Sequence, residues 1–235
     1  MTRFLLNDQP VSTSLPPGLP LLDFVRYHQH LKGTKIGCRE GDCGACTVLI
    51  GSLENGNLTY QSVTSCLMPL GNAQGKHVVT IEGLNLPDLS PVQQAIVTSN
   101  GTQCGFCTVG FVVSLTGYCL QPGTAEPGRA IAAMDGNICR CTGYKSLERA
   151  AGILVSELES RPPENGLAWL ADSGFVPAYF KTVPEMLEKL AAAAAESAVT
   201  EPDPESSSFT LGGGTDLLVQ QPETVRDSAV KLLWN

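Results

Sequence analysis

The chain has 235 residues, 43% of them hydrophobic, and this length and composition suit two small domains with a remainder. Its formal net charge of -8 and pI near 4.9 argue against nucleic-acid binding, because no cluster of lysine and arginine is present to neutralise phosphates. The apolar run at 4–6 is too short for a signal peptide, and no apolar stretch reaches the roughly 20 residues of a membrane span. Nine cysteines are present, and we therefore expect a cytoplasmic protein in which cysteines stay reduced and are available to bind metal.

Residues 1–85 alternate short strand patterns with one helix. The predicted strands span 3–6, 11–14, 47–50, 58–63 and 78–81. A helix is predicted over 20–32, with Gly33 as its C-terminal cap. An Asn-Gly turn at Asn55 and Gly56 joins the third and fourth strands. This order of elements is typical of a small β-grasp ferredoxin domain.

Three cysteines lie in one glycine-rich loop of this domain, and a fourth follows the next hairpin. They are Cys38, Cys43, Cys46 and Cys66. Their C-x4-C-x2-C…C spacing is that of a plant-type [2Fe-2S] site. Gly37, Gly41 and Gly44 allow positive φ or close backbone approach, so that backbone N–H groups can point at the sulfurs. Four thiolates also suit zinc, but structural zinc sites usually draw their cysteines from two close pairs, so the spacing favours iron and sulfide.

Residues 86–160 have helical periodicity and predict a four-helix bundle. The first helix is predicted to begin with Ser90 as N-cap and Pro91 at its first position, and to stop before Gly101. Further helices are predicted at 108–120, 129–134 and 146–160. Cys119 shares a helical face with Leu115 and Phe111, which favours a place in the core over a role as a ligand.

Four cysteines lie in two turns that join these helices. They form the pairs Cys104 with Cys107 and Cys139 with Cys141. If the two turns meet at one end of the bundle, the pairs create a second four-cysteine site. Taken alone, this site suits zinc and iron–sulfur equally, because zinc commonly uses two close pairs. The neighbouring plant-type motif favours a second iron–sulfur cluster.

The remaining residues predict a linker and the beginning of another domain. The linker is expected at 161–180, because 161–166 is rich in proline and polar residues, and the new domain at 181–235. A helix at 186–195, a polar loop at 200–208 and a strand at 209–211 precede a glycine-rich loop. That loop comprises Leu211, Gly212, Gly213, Gly214, Thr215 and Asp216. Glycines after a strand can bring backbone amides to a pyrophosphate, but the same pattern also occurs in ordinary loops.

Three motifs together closely resemble the iron–sulfur region of the molybdenum hydroxylases, the xanthine dehydrogenase and aldehyde oxidase family. They are GTKIGCREGDCGACTV, QCGFCTVGF and GNICRCTGY, and the resemblance covers residues 4–158. It implies an α+β fold with one [2Fe-2S] cluster in each of the two domains. The implied ligands are Cys38, Cys43, Cys46 and Cys66 for the plant-type cluster, and Cys104, Cys107, Cys139 and Cys141 for the other. Gln103 would contact a molybdopterin held by a large partner subunit, and Val109 departs from the proline common in the family.

The glycine-rich loop also lies where this family has the LGGGTDL loop that holds the FAD pyrophosphate. The resemblance implies that residues 211–216 bind FAD in a complete assembly, and that 181–235 is an incomplete flavin domain finished elsewhere. The implied function is electron transfer in a xanthine dehydrogenase-like enzyme, from the molybdopterin partner through both clusters toward FAD and NAD. Three alternatives stay open: a stand-alone ferredoxin-type carrier, the iron–sulfur subunit of an aldehyde oxidoreductase, and a zinc-stapled adaptor.

Overall fold

The computed structural model describes residues 1–54, 56–164, 166–196 and 209–233. The fold is α+β, as predicted, with a ferredoxin-type sheet followed along the chain by a helical bundle. The polar loop predicted at 200–208 lies outside the described residues. Asn55 of the predicted hairpin turn and residue 165 of the predicted linker also lie outside them.

Five strands form one mixed sheet. They are β1 (Thr2–Leu6), β2 (Gln9–Thr13), β3 (Thr47–Glu54), β4 (Asn57–Thr64) and β5 (His77–Val79). Their order is β2-β1-β5-β3-β4, in which only the β1–β5 pair is parallel. The predicted fifth strand extended to 81, but β5 ends at Val79 because Ile81–Leu84 forms a 3-10 helix. The Asn7 side chain fixes that bend by accepting a hydrogen bond from the backbone N–H of Thr80 at 2.9 Å.

The helix predicted over 20–32 is much shorter in the structure. Helix α1 (Leu21–Asp23) continues as a π-helical turn, Phe24–His28, and stops there. His30 takes a positive φ of 58°, so His30, and not the predicted Gly33, turns the chain. The Arg26 guanidinium donates to the carbonyl oxygens of Lys32 and Thr34 and so folds the following segment back onto the helix.

Four helices follow the sheet and form the predicted bundle. They are α2 (Pro91–Thr98), α3 (Thr108–Leu120), α4 (Pro127–Ala132) and α5 (Lys145–Leu158). Helix α2 begins as predicted, with Ser90 and Gln93 exchanging side-chain to backbone hydrogen bonds in a capping box. Helix α3 is buried without interruption from Gly110 to Cys119, because it lies between the sheet and the other helices. One hydrophobic cluster therefore spans the sheet and the bundle as a shared core, joining Leu49 and Tyr60 to Leu115 and Leu154, while a second cluster around Phe4, Phe24 and Val48 belongs to the sheet and α1.

The segment predicted as a linker at 161–180 contains regular structure that packs on this core. Helix α6 (Gly166–Asp172) is followed by a 3-10 helix, Ala178–Thr182. Leu170, Phe175 and Phe180 are buried, and the Phe180 ring lies 5.6 Å from that of Tyr60 and 5.5 Å from that of His77 between centroids. The proline and polar residues at the start of this segment suggest an irregular connection. The apolar residues that follow are stabilised by burial, and they pack on the shared core.

The last described elements attach to the ferredoxin sheet. They are α7 (Val183–Glu196), β6 (Phe209–Leu211), α8 (Thr215–Gln220), α9 (Pro222–Asp227) and β7 (Val230–Leu232). Strand β6 is confirmed and pairs in parallel with β7. Val183 and Leu187 of α7 pack on Leu5, which points away from the side of the sheet that Phe4 covers. Within the described ranges, no helix is long and apolar enough to cross a membrane.

Truncating Phe180 to alanine tests whether 178–182 belongs to the shared core. We expect the free energy of unfolding to fall by about 3–5 kcal/mol, because a fully buried ring is replaced by a cavity. Urea titration followed by circular dichroism measures the change. Phe106→Ala is the matched control, since the Phe106 ring is 47% exposed and its loss should barely change stability. Equal effects of the two variants would contradict the shared core.

Candidate metal centres

The eight predicted ligand cysteines come together as four close pairs of thiols. The pairs are Cys38 with Cys43, Cys46 with Cys66, Cys104 with Cys141, and Cys107 with Cys139. In the third pair the two Sγ atoms are 3.8 Å apart. In the part of the chain that the structure describes, no three His, Cys, Asp or Glu side chains gather tightly enough to hold one metal ion.

This pairing fits a dinuclear cluster better than a zinc ion. A [2Fe-2S] cluster takes two thiolates on each iron, so its ligands fall into two pairs. A structural zinc ion draws all four thiolates around a single centre. The bundle cysteines suited both metals on spacing alone, whereas their arrangement in space favours iron and sulfide. Both sets of residues therefore fit the cluster that their motifs predict.

The first loop is shaped by glycines at the positions predicted. Gly41 and Gly44 have positive φ values of 77° and 67°. A Cβ at Gly37 would lie 2.6 Å from the Cys43 Sγ, so this position has no room for a side chain. The loop also aims backbone donors at sulfur, because the N–H groups of Glu40 and Cys43 point at the Cys38 Sγ at 3.3 and 3.4 Å. Burial raises the pKa of the Cys38 thiol, but these donors outweigh it and lower that pKa overall.

The second pair of the first site lies deeper in the protein. Cys46 precedes β3, Cys66 lies in the 3-10 helix Ser65–Leu67, and both are buried. The Cys66 thiol donates to Cys46 and thereby lowers the pKa of Cys46 to about 6, a value at which the thiolate needed for iron is readily formed. Leu218 of α8 and Val225 of α9 belong to the same apolar cluster as these two cysteines. The site therefore has one pair near the surface and one pair under the last segment of the chain.

The second site is built from the turns that precede α3 and α5. Cys104 and Cys141 are exposed, Cys107 is half-buried and Cys139 is buried. Thr142 donates to the Cys139 Sγ through its backbone N–H at 3.4 Å and its hydroxyl at 3.1 Å. Burial raises the pKa of Cys139, but the donors of Thr142 together with the Cys141 N–H and the Cys107 thiol outweigh it and lower that pKa. Hydrogen bonds to the ligand sulfurs are one of the means by which a protein sets a cluster's reduction potential.

Gln103 lies at the exposed rim of the second site. Its Nε2 donates to the carbonyl oxygen of Cys141 at 3.0 Å, which connects the two turns. Phe106, Ile138 and Tyr144 lie in the same two turns and remain 47%, 38% and 40% exposed. The rim therefore combines two exposed thiols with partly exposed apolar side chains and with the exposed cation Arg140, which lies between Cys139 and Cys141.

Two sequence features outside the sites have structural roles. Cys119 is fully buried in the shared core, as its helical face predicts, and burial raises the pKa of its thiol to about 12. Helix α3 still begins at Thr108 although Val109 replaces the family's proline.

The glycine-rich loop lies against the ferredoxin sheet. Gly212 accepts a hydrogen bond on its carbonyl oxygen from the Asn72 side chain at 3.2 Å, and a Cβ at Gly214 would meet the Pro69 ring at 2.8 Å. Gly213 and Thr215 line a cleft of about 530 Å³ beside β3 and β4, and Lys76 lies on its wall. The Asp216 carboxylate accepts from the Gln220 side chain of α8 at 2.7 Å. The loop therefore forms one wall of a cleft that is open to a ligand.

Sequence reasoning missed two polar residues at these sites. Thr142 follows Cys141 directly, so a hydroxyl beside a cysteine motif is a local signal that could have identified it. Asn137 lies two residues before Cys139, and its partners are in the first loop and in α3. No local pattern predicts such distant partners.

Comparisons with known proteins match both halves of this arrangement. Residues 4–71 match the 2Fe-2S iron-sulfur cluster binding domain, and residues 80–152 match the [2Fe-2S] binding domain. The chain is 46% identical over 155 residues to xanthine dehydrogenase from Blastobotrys adeninivorans, which covers 63% of this chain but only 11% of that protein. The chain therefore spans about a tenth of the length of the curated relatives it matches.

Solved structures show the same likeness. Quinoline 2-oxidoreductase from Pseudomonas putida 86 matches with a TM-score of 0.56 and 30% identity, covering 74% of this chain and 97% of that one. The aldehyde oxidoreductase from Desulfovibrio desulfuricans matches with a TM-score of 0.58 and 32% identity, covering 67% of this chain and 17% of that one. Together with the domain matches, these likenesses show that the chain carries two [2Fe-2S]-binding domains in tandem.

Replacing Cys104 with alanine tests the independence of the two sites. We expect one of two [2Fe-2S] signals to disappear from the electron paramagnetic resonance spectrum of the reduced protein, because only the second site loses a thiolate. Iron and acid-labile sulfide should fall by half. Cys119→Ala is the matched control and should keep both signals, since Cys119 lies in the core. Zinc in place of iron, or loss of both signals together, would contradict the assignment.

Proposed function

Because this chain belongs to the molybdenum hydroxylase family, whose iron–sulfur region it carries, we propose that it is the electron-transfer part of a xanthine dehydrogenase-like enzyme. Two paired-thiol sites in tandem domains carry this proposal. The domains are residues 1–85 and 86–160, with the start of a flavin domain at 181–235. Hydroxylation of the substrate is assigned to a molybdopterin-binding partner. The need for reduced thiols supports a cytoplasmic location.

We assign the two sets of thiols to two clusters. The first set is Cys38, Cys43, Cys46 and Cys66, and the second is Cys104, Cys107, Cys139 and Cys141. When bound, each cluster takes up and releases one electron at a time, which lets a two-electron oxidation supply a flavin in single steps. The protein's own contribution is to hold the thiols in pairs and to aim donors at sulfur. The backbone of the first loop and Thr142 in the second site provide those donors.

The exposed rim of the second site is the proposed docking surface for the molybdopterin partner. Cys104 and Cys141 reach the surface there, and Gln103 lies directly beside them. Interface cores are enriched in aromatic residues and arginine, and the rim offers Phe106, Tyr144 and Arg140. Docking at this rim would bring the pterin close to the exposed thiols and would cover the apolar rings.

The flavin is assigned to the other end of the relay. Leu211, Gly212, Gly213, Gly214, Thr215 and Asp216 are the proposed pyrophosphate loop. Lys76 supports this proposal, because it lines the same cleft as Gly213 and Thr215 and a lysine there can offset phosphate charge. One wall is too little to hold so large a cofactor, since affinity requires many contacts along its length. A further flavin domain or subunit is therefore part of the proposal.

Charging the rim tests the proposed partner surface. Phe106→Asp should abolish co-purification with a molybdenum-containing chain while leaving both clusters intact, because a carboxylate would have to be desolvated in the interface. Leu89→Asp is the matched control: Leu89 is also exposed, at 54%, but lies near the start of α2 and the end of α5, at the opposite end of the bundle. Assays of the complex with xanthine and with an aldehyde identify the substrate class. Oxidation of xanthine by this chain alone would refute the proposal.

Titration with FAD tests the flavin assignment. We expect this chain alone to bind FAD weakly or not at all, because residues 211–216 provide only one side of a site. Quenching of flavin fluorescence during titration with purified protein measures the affinity. Lys76→Ala is the variant to compare if weak binding is seen, and it should weaken that binding further. Tight stoichiometric binding to the chain alone would show that the proposed site is already complete.

A further inference from the structure

The two cluster-binding loops meet at a buried asparagine. Asn137 is 3% exposed and lies two residues before Cys139. Its Nδ2 donates to the carbonyl oxygen of Gly44 at 3.0 Å and approaches the Thr47 Oγ1 at 3.3 Å. Its Oδ1 accepts from the Ser114 hydroxyl of α3 at 2.7 Å. One side chain thus connects the first loop, the second loop and the central helix.

We call the place where Asn137 and Ile138 meet Cys43 and Gly44 the joint. The backbones of the two loops approach each other at the joint as closely as glycine allows. A Cβ at Gly44 would lie 2.1 Å from the carbonyl oxygen of Gly136, and a Cβ at Gly110 would lie 2.4 Å from that of Gly44. The backbone N–H of Ile138 donates to the carbonyl oxygen of Cys43 at 3.0 Å. This one hydrogen bond links a proposed ligand of the first cluster to the residue next to Cys139, a proposed ligand of the second.

We propose that Asn137 is a positioning residue that holds the hydrogen bond between Ile138 and Cys43 in place as the electron path between the two clusters. The inference rests on the cluster assignment of the proposed function. In the step concerned, the bundle cluster is oxidised by one electron and the ferredoxin cluster is reduced by one. No bond is broken and no proton moves, so the path needs only a short, fixed connection.

The contacts around Gly44 allow this role to be separated from the folding of the first loop. The Gly44 carbonyl oxygen also accepts from the backbone N–H of Thr47 at 3.1 Å and from the Thr47 hydroxyl at 2.6 Å. These bonds stay within the first loop, so the carbonyl remains satisfied when Asn137 is changed. Loss of the Asn137 amide should therefore loosen the joint and leave the paired thiols of the first site in place.

The test compares Asn137→Asp and Asn137→Ser with Ser114→Ala in the purified full chain. Asn137→Asp keeps the shape of the side chain but replaces the donor that faces Gly44 with an oxygen. Asn137→Ser is the uncharged alternative and is too short to reach Gly44. Ser114→Ala also removes one buried hydrogen bond of Asn137, but it leaves both contacts to the first loop intact, so it controls for general destabilisation.

Two measurements report on the joint without any substrate or partner. The first is the splitting of the electron paramagnetic resonance signals by magnetic interaction between the clusters in dithionite-reduced protein. The second is the rate at which an electron from a photoreduced deazaflavin passes between the clusters, seen as a phase that does not depend on protein concentration. Iron content and the individual cluster signals are recorded for every variant.

We expect both Asn137 variants to keep two clusters, to show a reduced splitting and to pass the electron several-fold more slowly, while Ser114→Ala behaves as wild type. Unchanged splitting and rate in the Asn137 variants would overturn the inference and leave the proposed function intact. Loss of a cluster in both Asn137 variants would also overturn it, because the residue would then serve cluster assembly. If the wild-type chain lacked two clusters, the proposed function itself would fail.

Discussion

Four thiols must converge at each site on loops that bury few apolar side chains of their own, and the rest of the structure follows from this constraint. Such loops can be held only by the elements that flank them. The first site is anchored by β3 and by the 3-10 helix Ser65–Leu67, and the second by the starts of α3 and α5. All four anchors contribute side chains to well-packed clusters, so the free energy that orders the loops comes from apolar burial nearby.

Helix α3 makes the two sites parts of one body. Its N-terminus carries the cysteine turn, while Gly117 lies close enough to the sheet that a Cβ there would come within 2.8 Å of the Leu49 side chain. The shared core then continues through Tyr60 to Phe180. The sheet keeps a cluster of its own around Phe4, Val25 and Val48, but α3 has too little polar surface to face water on any side, so a second cluster crosses from the sheet into the bundle. A core that crosses the domain boundary fixes the distance between the clusters, which an electron relay requires.

Features that depend on neighbouring residues could be predicted from the sequence. Contacts between residues far apart in the chain could not. Cysteine spacing predicted two candidate sites whose thiols the structure brings into pairs, Ser90 with Pro91 marked the start of α2, and periodicity gave the limits of α3. The helix predicted through residue 32 failed because Arg26 finds carbonyl partners beyond it in sequence. The linker prediction missed Phe180 because its partners, Tyr60 and His77, are about a hundred residues away. Asn137 was missed for the same reason.

The two sites lie in sequence from an exposed pair of thiols, through the joint, to a buried pair of thiols. Each has one cysteine at the joint, since Cys43 and Ile138 share a hydrogen bond and Cys139 follows Ile138. Away from the joint, the second site ends in exposed thiols, whereas the first ends in the buried pair Cys46 and Cys66. That buried pair lies under α8 and α9, which directly follow the proposed flavin loop. The proposed relay would therefore enter at the exposed rim, cross at the buried joint around Asn137 and leave beside α8 and α9, which are three separate places in one packed structure.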